Sequence, residues 1–276
     1  MLRHAEEEGS LQGIQLCPSA PKINHLFFAD DSLIVMKANV SNAQKLQQIL
    51  ALYEEQSGQM INKEKSAATF SKGTTQSAKQ EVLRALGIPR ESCNERYLGL
   101  PVHLGASKTK EFEYLKERIW QKIQGWQERL LSKAGKEIMI KAVAQAIPTY
   151  AMSCFDLTKD LCEEISSMIC RYWWSQQDGT HKCHWISWEN MTRPKDKGGM
   201  GFRDLHIFNM AMLARQCWRL LQNPDSLCCE VLKALYFPTT SILEAKAKPG
   251  ISYTSRSILK GVELLKEGIC MAHWIG

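Results

Sequence analysis

The chain has 276 residues, of which 44% are hydrophobic and 23% charged, a composition typical of a globular protein with one large or two modest domains. Its formal net charge of +6 is mildly basic, which permits a nucleic-acid partner without requiring one. The polar start excludes a secretory signal, and no apolar run reaches the roughly 18 residues that cross a bilayer. Ten irregularly spaced cysteines then predict reduced thiols in an intracellular protein, nuclear or cytoplasmic, with no membrane partner.

The first hundred residues predict a mixed region of strands and helices. Two apolar stretches around the polar turn Ala29–Ser32 predict a β-hairpin over about residues 23–36. Four further elements are predicted from spacing and from breaker residues: a helix from Asn39 or Ser41 to Ser57-Gly58, a strand at 67–70, a helix over 76–86 and a strand over 97–103.

From Ser107 onward the pattern changes to long amphipathic helices. Ser107 is a suitable N-cap for a helix. The apolar stripe of that helix comprises Phe112, Leu115, Ile119, Ile123, Trp126 and Leu130. The following predicted elements are helices over 136–147, 159–174 and 204–223, a loop-rich stretch over 176–201, and a shorter helical pair at the end. We therefore predict an α+β protein with three regions, 1–104, 105–175 and 176–276.

The predicted hairpin contains the string Phe27-Phe28-Ala29-Asp30-Asp31, which places two carboxylates in a tight turn between apolar strands. Two adjacent carboxylates repel each other unless a cation neutralises them. Phosphoryl transfer by the two-metal route uses carboxylates of this kind to hold Mg²⁺. An Asp-Asp pair is also a good solvated turn, so the string by itself leaves both interpretations open.

Three blocks, in order and at matching spacing, resemble the reverse transcriptase of plant LINE-type (non-LTR) retrotransposons. Residues 25–33 resemble its motif C, residues 57–66 its motif D, and residues 96–101 its motif E, the hairpin that grips the primer. Residues 124–126, 130–136 and 144–150 resemble its thumb, and residues 185–188 and 198–205 resemble the connector that follows. The resemblance implies an RNA-directed DNA polymerase with Mg²⁺ as cofactor and with RNA template and DNA primer as partners. The palm would then fall in 1–104, the thumb in 105–175 and the connector in 176–276.

The resemblance also assigns roles to single residues. Asp30 and Asp31 correspond to catalytic, metal-binding carboxylates. Lys65 corresponds to the motif D lysine, which donates a proton to departing pyrophosphate or offsets its charge, although a solvent-facing lysine fits equally well. The residues of the primer grip are Tyr97, Leu98 and Gly99. The thumb residues predicted to contact the nucleic-acid backbone, with a solvated charged face as the alternative, are Lys116, Lys122, Arg129 and Lys133.

The chain also departs from the family pattern. The family carries a third metal-binding Asp and the fingers before motif C, whereas only 24 residues precede His25 here and none of them is Asp. We therefore expect weak Mg²⁺ binding, no complete polymerase cycle by this chain alone, and a polymerase segment encoded upstream. Three interpretations stay open: an enzyme fragment that is inactive by itself, a non-catalytic nucleic-acid-binding module, and a decayed transposon remnant.

Cysteine, histidine and tryptophan residues cluster between positions 162 and 188. The Cys and His residues lack the paired spacing of a zinc site, so we predict no zinc; they are Cys162, Cys170, His181, Cys183 and His184. The tryptophans are predicted to be core aromatics rather than base-stacking platforms; they are Trp173, Trp174, Trp185 and Trp188.

Overall fold

A computed structural model of the chain describes residues 1–89, 91, 96–102, 104–105, 107–127, 131–175, 184–247 and 249–275. These residues form an α+β protein whose strands pair as two-stranded antiparallel sheets. The chain divides into two compact units, Met1–His103 and Leu104–Gly276. In the ranges given above, no helix combines the length and the apolar character needed to cross a membrane.

The first unit combines short hairpins with helices. Its elements are α1 (Leu2–Glu7), β1 (Ile14–Gln15), β2 (Lys22–Ile23), β3 (His25–Phe28), β4 (Asp31–Ile34), α2 (Val40–Ser57), α3 (Gln76–Leu86), β5 (Arg96–Tyr97) and β6 (Leu100–Pro101). The two long helices begin and end where the sequence predicts. Asn39 and Thr75 are their N-caps, and Gly58 and Gly87 end them at positive φ.

Helices α1, α2 and α3 bury a small core in the first unit. Its fully buried members are Ala5, Leu11, Ala43, Leu46, Val82 and Leu86. The hairpin β3–β4 reaches this core only at its base, through the half-buried Ile34 and through Met36, which follows β4. The turn that carries the two aspartates therefore projects away from the core.

Two strand predictions in the first unit are wrong. Residues 67–70 form no strand, and Ala68 makes only an isolated bridge to Glu91. The described residues of the stretch 97–103 are not one strand, because Leu98 and Gly99 have φ angles of 51° and 80° and turn the chain back on itself. The result is the hairpin β5–β6, which agrees with the resemblance of residues 96–101 to a hairpin motif.

The second unit is helical. Its helices are α4 (Lys108–Gln127), α5 (Lys133–Met139), α6 (Thr149–Met152), α7 (Lys159–Trp174), α8 (Trp188–Thr192), α9 (Leu205–Gln222), α10 (Leu227–Tyr236) and α11 (Tyr253–Ile275). A π-helical turn, Ile140–Ala144, continues α5, and 3₁₀ turns occur at Lys195–Lys197 and Ile242–Glu244. The last predicted pair corresponds to α10 and α11, and α11 is longer than expected, with 23 residues.

Two helix packings form the core of the second unit. Helix α4 packs on α7 with its predicted stripe, whose residues Phe112, Leu115, Ile119, Ile123 and Trp126 are buried, while Leu130 lies outside the described residues. Helix α9 packs on α11, and Gly261 lies at their closest approach. A Cβ at Gly261 would lie 2.4 Å from the backbone nitrogen of Ala214, so only glycine fits there.

Candidate functional site

The hairpin β3–β4 carries the two predicted metal ligands at its tip. Phe28 pairs with Asp31, so Ala29 and Asp30 form a two-residue loop. Ala29 has a φ of 51°, the sign that tight hairpin turns of this length require at the first loop position. Asp30 therefore lies in the loop and Asp31 at the start of β4, and both side chains are exposed.

The apolar side chains of this hairpin are exposed on both faces. Phe27 is 60% and Phe28 is 61% exposed, and they point to opposite faces because side chains alternate along a strand. Leu26 and Leu33, on the face of Phe28, are also exposed. In the described part of the chain no third strand joins β3 and β4. Since a two-stranded hairpin is at best marginally stable in water, this one lacks packing partners for its apolar surface.

Asp30 and Asp31 alone do not fit a two-metal centre. Among the described residues, no group of three or more Asp, Glu, His or Cys side chains is placed to hold a metal ion. A two-metal centre holds its ions about 3.5–4 Å apart, and each ion needs several oxygen ligands. We therefore derive no catalytic step through Mg²⁺ from these two carboxylates.

Lys65 lies in an ordered turn after α2. The Asn62 side chain accepts a hydrogen bond from the backbone N–H of Lys65 at 3.0 Å, and the Asn62 carbonyl accepts one from the Ser66 hydroxyl at 2.8 Å. The Glu54 carboxylate fixes the start of the segment by accepting from the N–H of Ile61 at 2.7 Å. The Lys65 side chain itself is exposed. Its role at a departing pyrophosphate stays a prediction.

The predicted primer-grip residues form the turn of the hairpin β5–β6. Tyr97 pairs with Leu100, which leaves Leu98 and Gly99 as the loop. Positive φ at both loop positions matches a type I′ turn, which suits the twist of a hairpin. A leucine at positive φ costs of order 1–3 kcal/mol, so the flanking strands must hold Leu98 in place. Contact between this turn and a primer stays a prediction.

Of the four residues predicted to contact nucleic acid, Lys116 and Lys133 have partners within the chain. The Nζ atom of Lys116 lies 2.7 Å from Oε2 of Glu164 and 3.5 Å from Oε1 of Glu113, so it links α4 to α7. The hydrogen bond to Glu164 raises the pKa of Lys116. Lys122 is exposed and has no salt bridge within the described residues. Arg129 lies outside the described residues.

Lys133 and Lys136 stabilise the end of α7. Lys133 donates to the carbonyl of Trp173 at 2.6 Å, and its Nζ lies over the Trp173 ring at 4.9 Å. Lys136 is buried and donates to the carbonyls of Tyr172 at 3.2 Å and Ser175 at 2.8 Å. Helix C-termini leave carbonyls without intrahelical partners and attract cations. Sequence reasoning missed Lys136, because its partners lie 36 and 39 residues away and leave no local signal.

Burial lowers the pKa of Lys136, because the charged ammonium is removed from water. The positive charge of nearby Lys133 lowers it further. Lys133 and Lys136 are three residues apart, on one face of α5, and both ammonium groups point at the same helix end. Lys133 is therefore held at the end of α7 although it is exposed, and its contact with a phosphate backbone stays a prediction.

The aromatic prediction holds for three of the four tryptophans and is wrong for Trp185. Trp173 is buried, Trp174 is half-buried, and Trp188 stacks on Phe202 with ring centroids 5.5 Å apart. Trp185 is 80% exposed, because it lies in the irregular segment before α8 and no described helix covers it.

The thiols near this region are buried. Desolvation raises the pKa of Cys162 to about 12 and raises that of Cys170. The Cys170 sulfur lies 3.8 Å from Nδ1 of His184. His181 and Cys183 lie outside the described residues. A buried, protonated thiol is a weak nucleophile, so neither Cys162 nor Cys170 is a reactive centre.

Comparison with known proteins found two similar proteins of Arabidopsis thaliana, and no model of a protein family matches the chain. The "Uncharacterized mitochondrial protein AtMg00310" is 42% identical over 125 residues, which are 45% of this chain and 81% of that protein. The "Putative ribonuclease H protein At1g65750" is 31% identical over 125 residues. That match covers 45% of this chain and only 20% of the longer protein.

Proposed function

Because the chain belongs to the family of the uncharacterized mitochondrial protein of Arabidopsis thaliana, we propose that both derive from a plant LINE-type retrotransposon. The chain would correspond to the C-terminal palm, thumb and connector of the element's reverse transcriptase. The name of the second relative supports this origin, since such elements can carry a ribonuclease H domain beside the polymerase.

The observation that carries the proposal is the hairpin β3–β4. It combines aromatic strands, a two-residue loop and two exposed carboxylates at the tip, which is the arrangement that motif C requires. The hairpin β5–β6 adds support, because a tight turn stands where motif E is expected. A solvated Asp-Asp turn in an unrelated protein would not be expected to have a second hairpin at that spacing.

We further propose that this chain does not polymerise DNA by itself. Asp30 and Asp31 would supply two metal ligands, and the apolar side chains on both faces of β3–β4 are exposed. Both observations support this, since a working palm needs further metal ligands and neighbouring strands. The chain would then act as one segment of a polymerase, or persist as a remnant of one.

Primer extension tests the catalytic part. Purified chain, primed RNA, nucleotides and Mg²⁺ or Mn²⁺ should give no more product than the Asp30→Asn, Asp31→Asn double variant. A Glu7→Gln, Glu55→Gln variant removes the same charge from exposed positions outside the three motifs and serves as the matched control. Extension by the wild-type chain and by the control, but not by the double Asp variant, would overturn the proposal of an inactive segment.

The genomic DNA immediately 5′ of this frame tests the origin. We expect it to encode, intact or interrupted, a fingers region and an Asp-containing palm strand. A continuous frame would favour an enzyme segment, and a stop codon or frameshift would favour a decayed remnant. Unrelated sequence at this position in several genomes would contradict the proposed origin.

A further inference from the structure

Helix α9 has one side buried against α11 and the opposite side open. Leu213, Cys217 and Leu220 are buried on the packed side. The exposed residues are Ile207, Ala211, Arg215, Trp218, Arg219 and Gln222. At about 100° of rotation per residue, these six positions fall within an arc of about 120°. They therefore form one continuous surface, which we call the α9 outer face.

The α9 outer face is basic and contains no acidic residue. Helix α9 has no Asp or Glu within Leu205–Gln222. Arg215 and Arg219 are exposed and lie one turn apart, about 6 Å along the helix axis. Neither forms a salt bridge with any described residue. The exposed side of α4 differs, because Glu113 and Glu117 lie among its basic residues.

An aromatic side chain lies beside the two arginines. Trp218 is 45% exposed and is three residues from Arg215, which makes these two neighbours on the helix surface, and Arg219 lies one turn beyond Arg215 in the same arc. At the other end, the guanidinium of exposed Arg203 lies over the Phe208 ring at 4.5 Å, which adds a further cation on this side of the helix. Arginines beside an exposed indole provide phosphate contacts, and the indole provides a stacking surface for a base.

We propose that the α9 outer face binds single-stranded nucleic acid. Trp218 stacks on an unpaired base, and Arg215 and Arg219 contact the neighbouring phosphates. An amphipathic membrane contact fits less well, because the apolar part of this face is small, comprising Ile207, Ala211 and Trp218, and the broad apolar side of α9 is already buried against α11. The surface requires neither Asp30 nor Asp31, so this proposal stands or falls separately from the proposed polymerase origin.

Fluorescence anisotropy with the full chain and a labelled single-stranded RNA of about 20 nucleotides tests the proposal. Arg215→Gln with Arg219→Gln should weaken binding about ten-fold. It should also make the plot of log affinity against log salt, between about 50 and 200 mM KCl, less steep by about 1.4. Each lost phosphate contact on a single strand accounts for about 0.7 of that slope.

Trp218 variants separate stacking from charge. Trp218→Leu should weaken binding about five-fold or more without changing the salt slope, and Trp218→Phe should restore part of the affinity. Duplex RNA of the same sequence should not respond to Trp218→Leu, because its bases are already stacked. The matched control, Arg256→Gln with Lys266→Gln, removes two exposed positive charges from α11 and should change the affinity less than two-fold.

Three results would overturn the proposal, provided that circular dichroism shows each variant to be folded. The wild-type chain could fail to bind the RNA, the Arg215/Arg219 variant could bind as the wild type does, or the α11 control could lose equal affinity. Competition by a Glu-rich peptide, together with no effect of Trp218→Leu, would instead identify an acidic protein as the partner. Binding by the Asp30→Asn, Asp31→Asn variant should equal that of the wild type.

Discussion

The hairpin β3–β4 and the helical pair α4–α7 bury very different shares of their apolar side chains. Phe27 and Phe28 are about 60% exposed, whereas Ile119 and Ile169 in the helical pair are fully buried. The hairpin carries the aspartates on which the proposed origin rests, and the helices carry the packing that stabilises the second unit. The exposed hairpin residues and the buried helical residues should therefore respond differently to substitution.

Two alanine substitutions, one in each region, test this contrast and have the largest expected effect. Ile119→Ala should lower the free energy of unfolding of the helical unit by about 2–5 kcal/mol, because it leaves a cavity in a packed core. Phe28→Ala should change stability by only about 0.5 kcal/mol, because most of its side chain already contacts water. Urea denaturation followed by circular dichroism measures both. An equal loss in the two variants would mean that the hairpin is packed in solution.

Two glycine-to-alanine substitutions test the same contrast between packed and open positions within α11. Gly261→Ala should lower the free energy of unfolding by about 1–3 kcal/mol, because the new methyl group meets the backbone of α9 at Ala214. Gly268→Ala, seven residues further along α11, meets no atom within 4 Å. It should raise stability by up to about 1 kcal/mol, since alanine favours a helix. Thermal unfolding compares the two, and opposite signs are the expected outcome.

The buried thiols predict an alkaline loss of stability in the helical unit. Desolvation raises the pKa of both Cys162 and Cys217 to about 12, from an ordinary value of 9.0. Because the pKa is higher in the folded state, the thiols of the unfolded chain ionise first as the pH rises. The contribution of each thiol to the free energy of unfolding is therefore complete below pH 9 and is lost between pH 9 and 12. At pH 10 the expected loss is on the order of 1 kcal/mol per thiol.

The double variant Cys162→Ala, Cys217→Ala isolates this effect. It should be less stable than the wild type at pH 7, since the truncations leave small cavities, but it should lose less stability between pH 8 and 10. Urea midpoints measured at each pH give the difference directly. Parallel pH dependence in the two proteins would assign the alkaline loss to other groups, such as the tyrosines.

Local sequence signals predicted the helices well. Asn39, one of the two predicted starts of α2, and Asp204, the predicted start of α9, each cap the helix that follows, and their side chains accept hydrogen bonds from its first turn. Such signals involve residues only two or three positions apart, so they are readable without any tertiary structure. The strand predicted at 67–70 failed because strand formation needs a distant partner, and Ala68 has only the single bridge to Glu91.

The candidate site also combines features that local sequence predicts with features that depend on distant partners. The tight turn at Asp30 and Asp31 follows from the local alternation of apolar and polar residues, and the structure has a hairpin there. The partners of Lys116 and Lys133 do not follow from local pattern, because Glu164 and Trp173 lie 48 and 40 residues away. The exposure of Trp185 was missed for a related reason, since burial of an aromatic residue depends on which elements reach it.

The π-helical turn Ile140–Ala144 holds one residue more than a regular helix needs, because the N–H of Gln145 bonds to the carbonyl of Ile140. Lys141 and Gln145 both reach from this turn to segment 200–203, donating to the carbonyls of Met200 at 2.6 Å and Arg203 at 3.2 Å. Loss of one residue here would restore a regular helix and keep the flanking faces in phase. Loss of one residue elsewhere in α5 would rotate the following side chains by about 100°. Relatives should therefore tolerate a single-residue deletion at 140–144 better than in the rest of this helix.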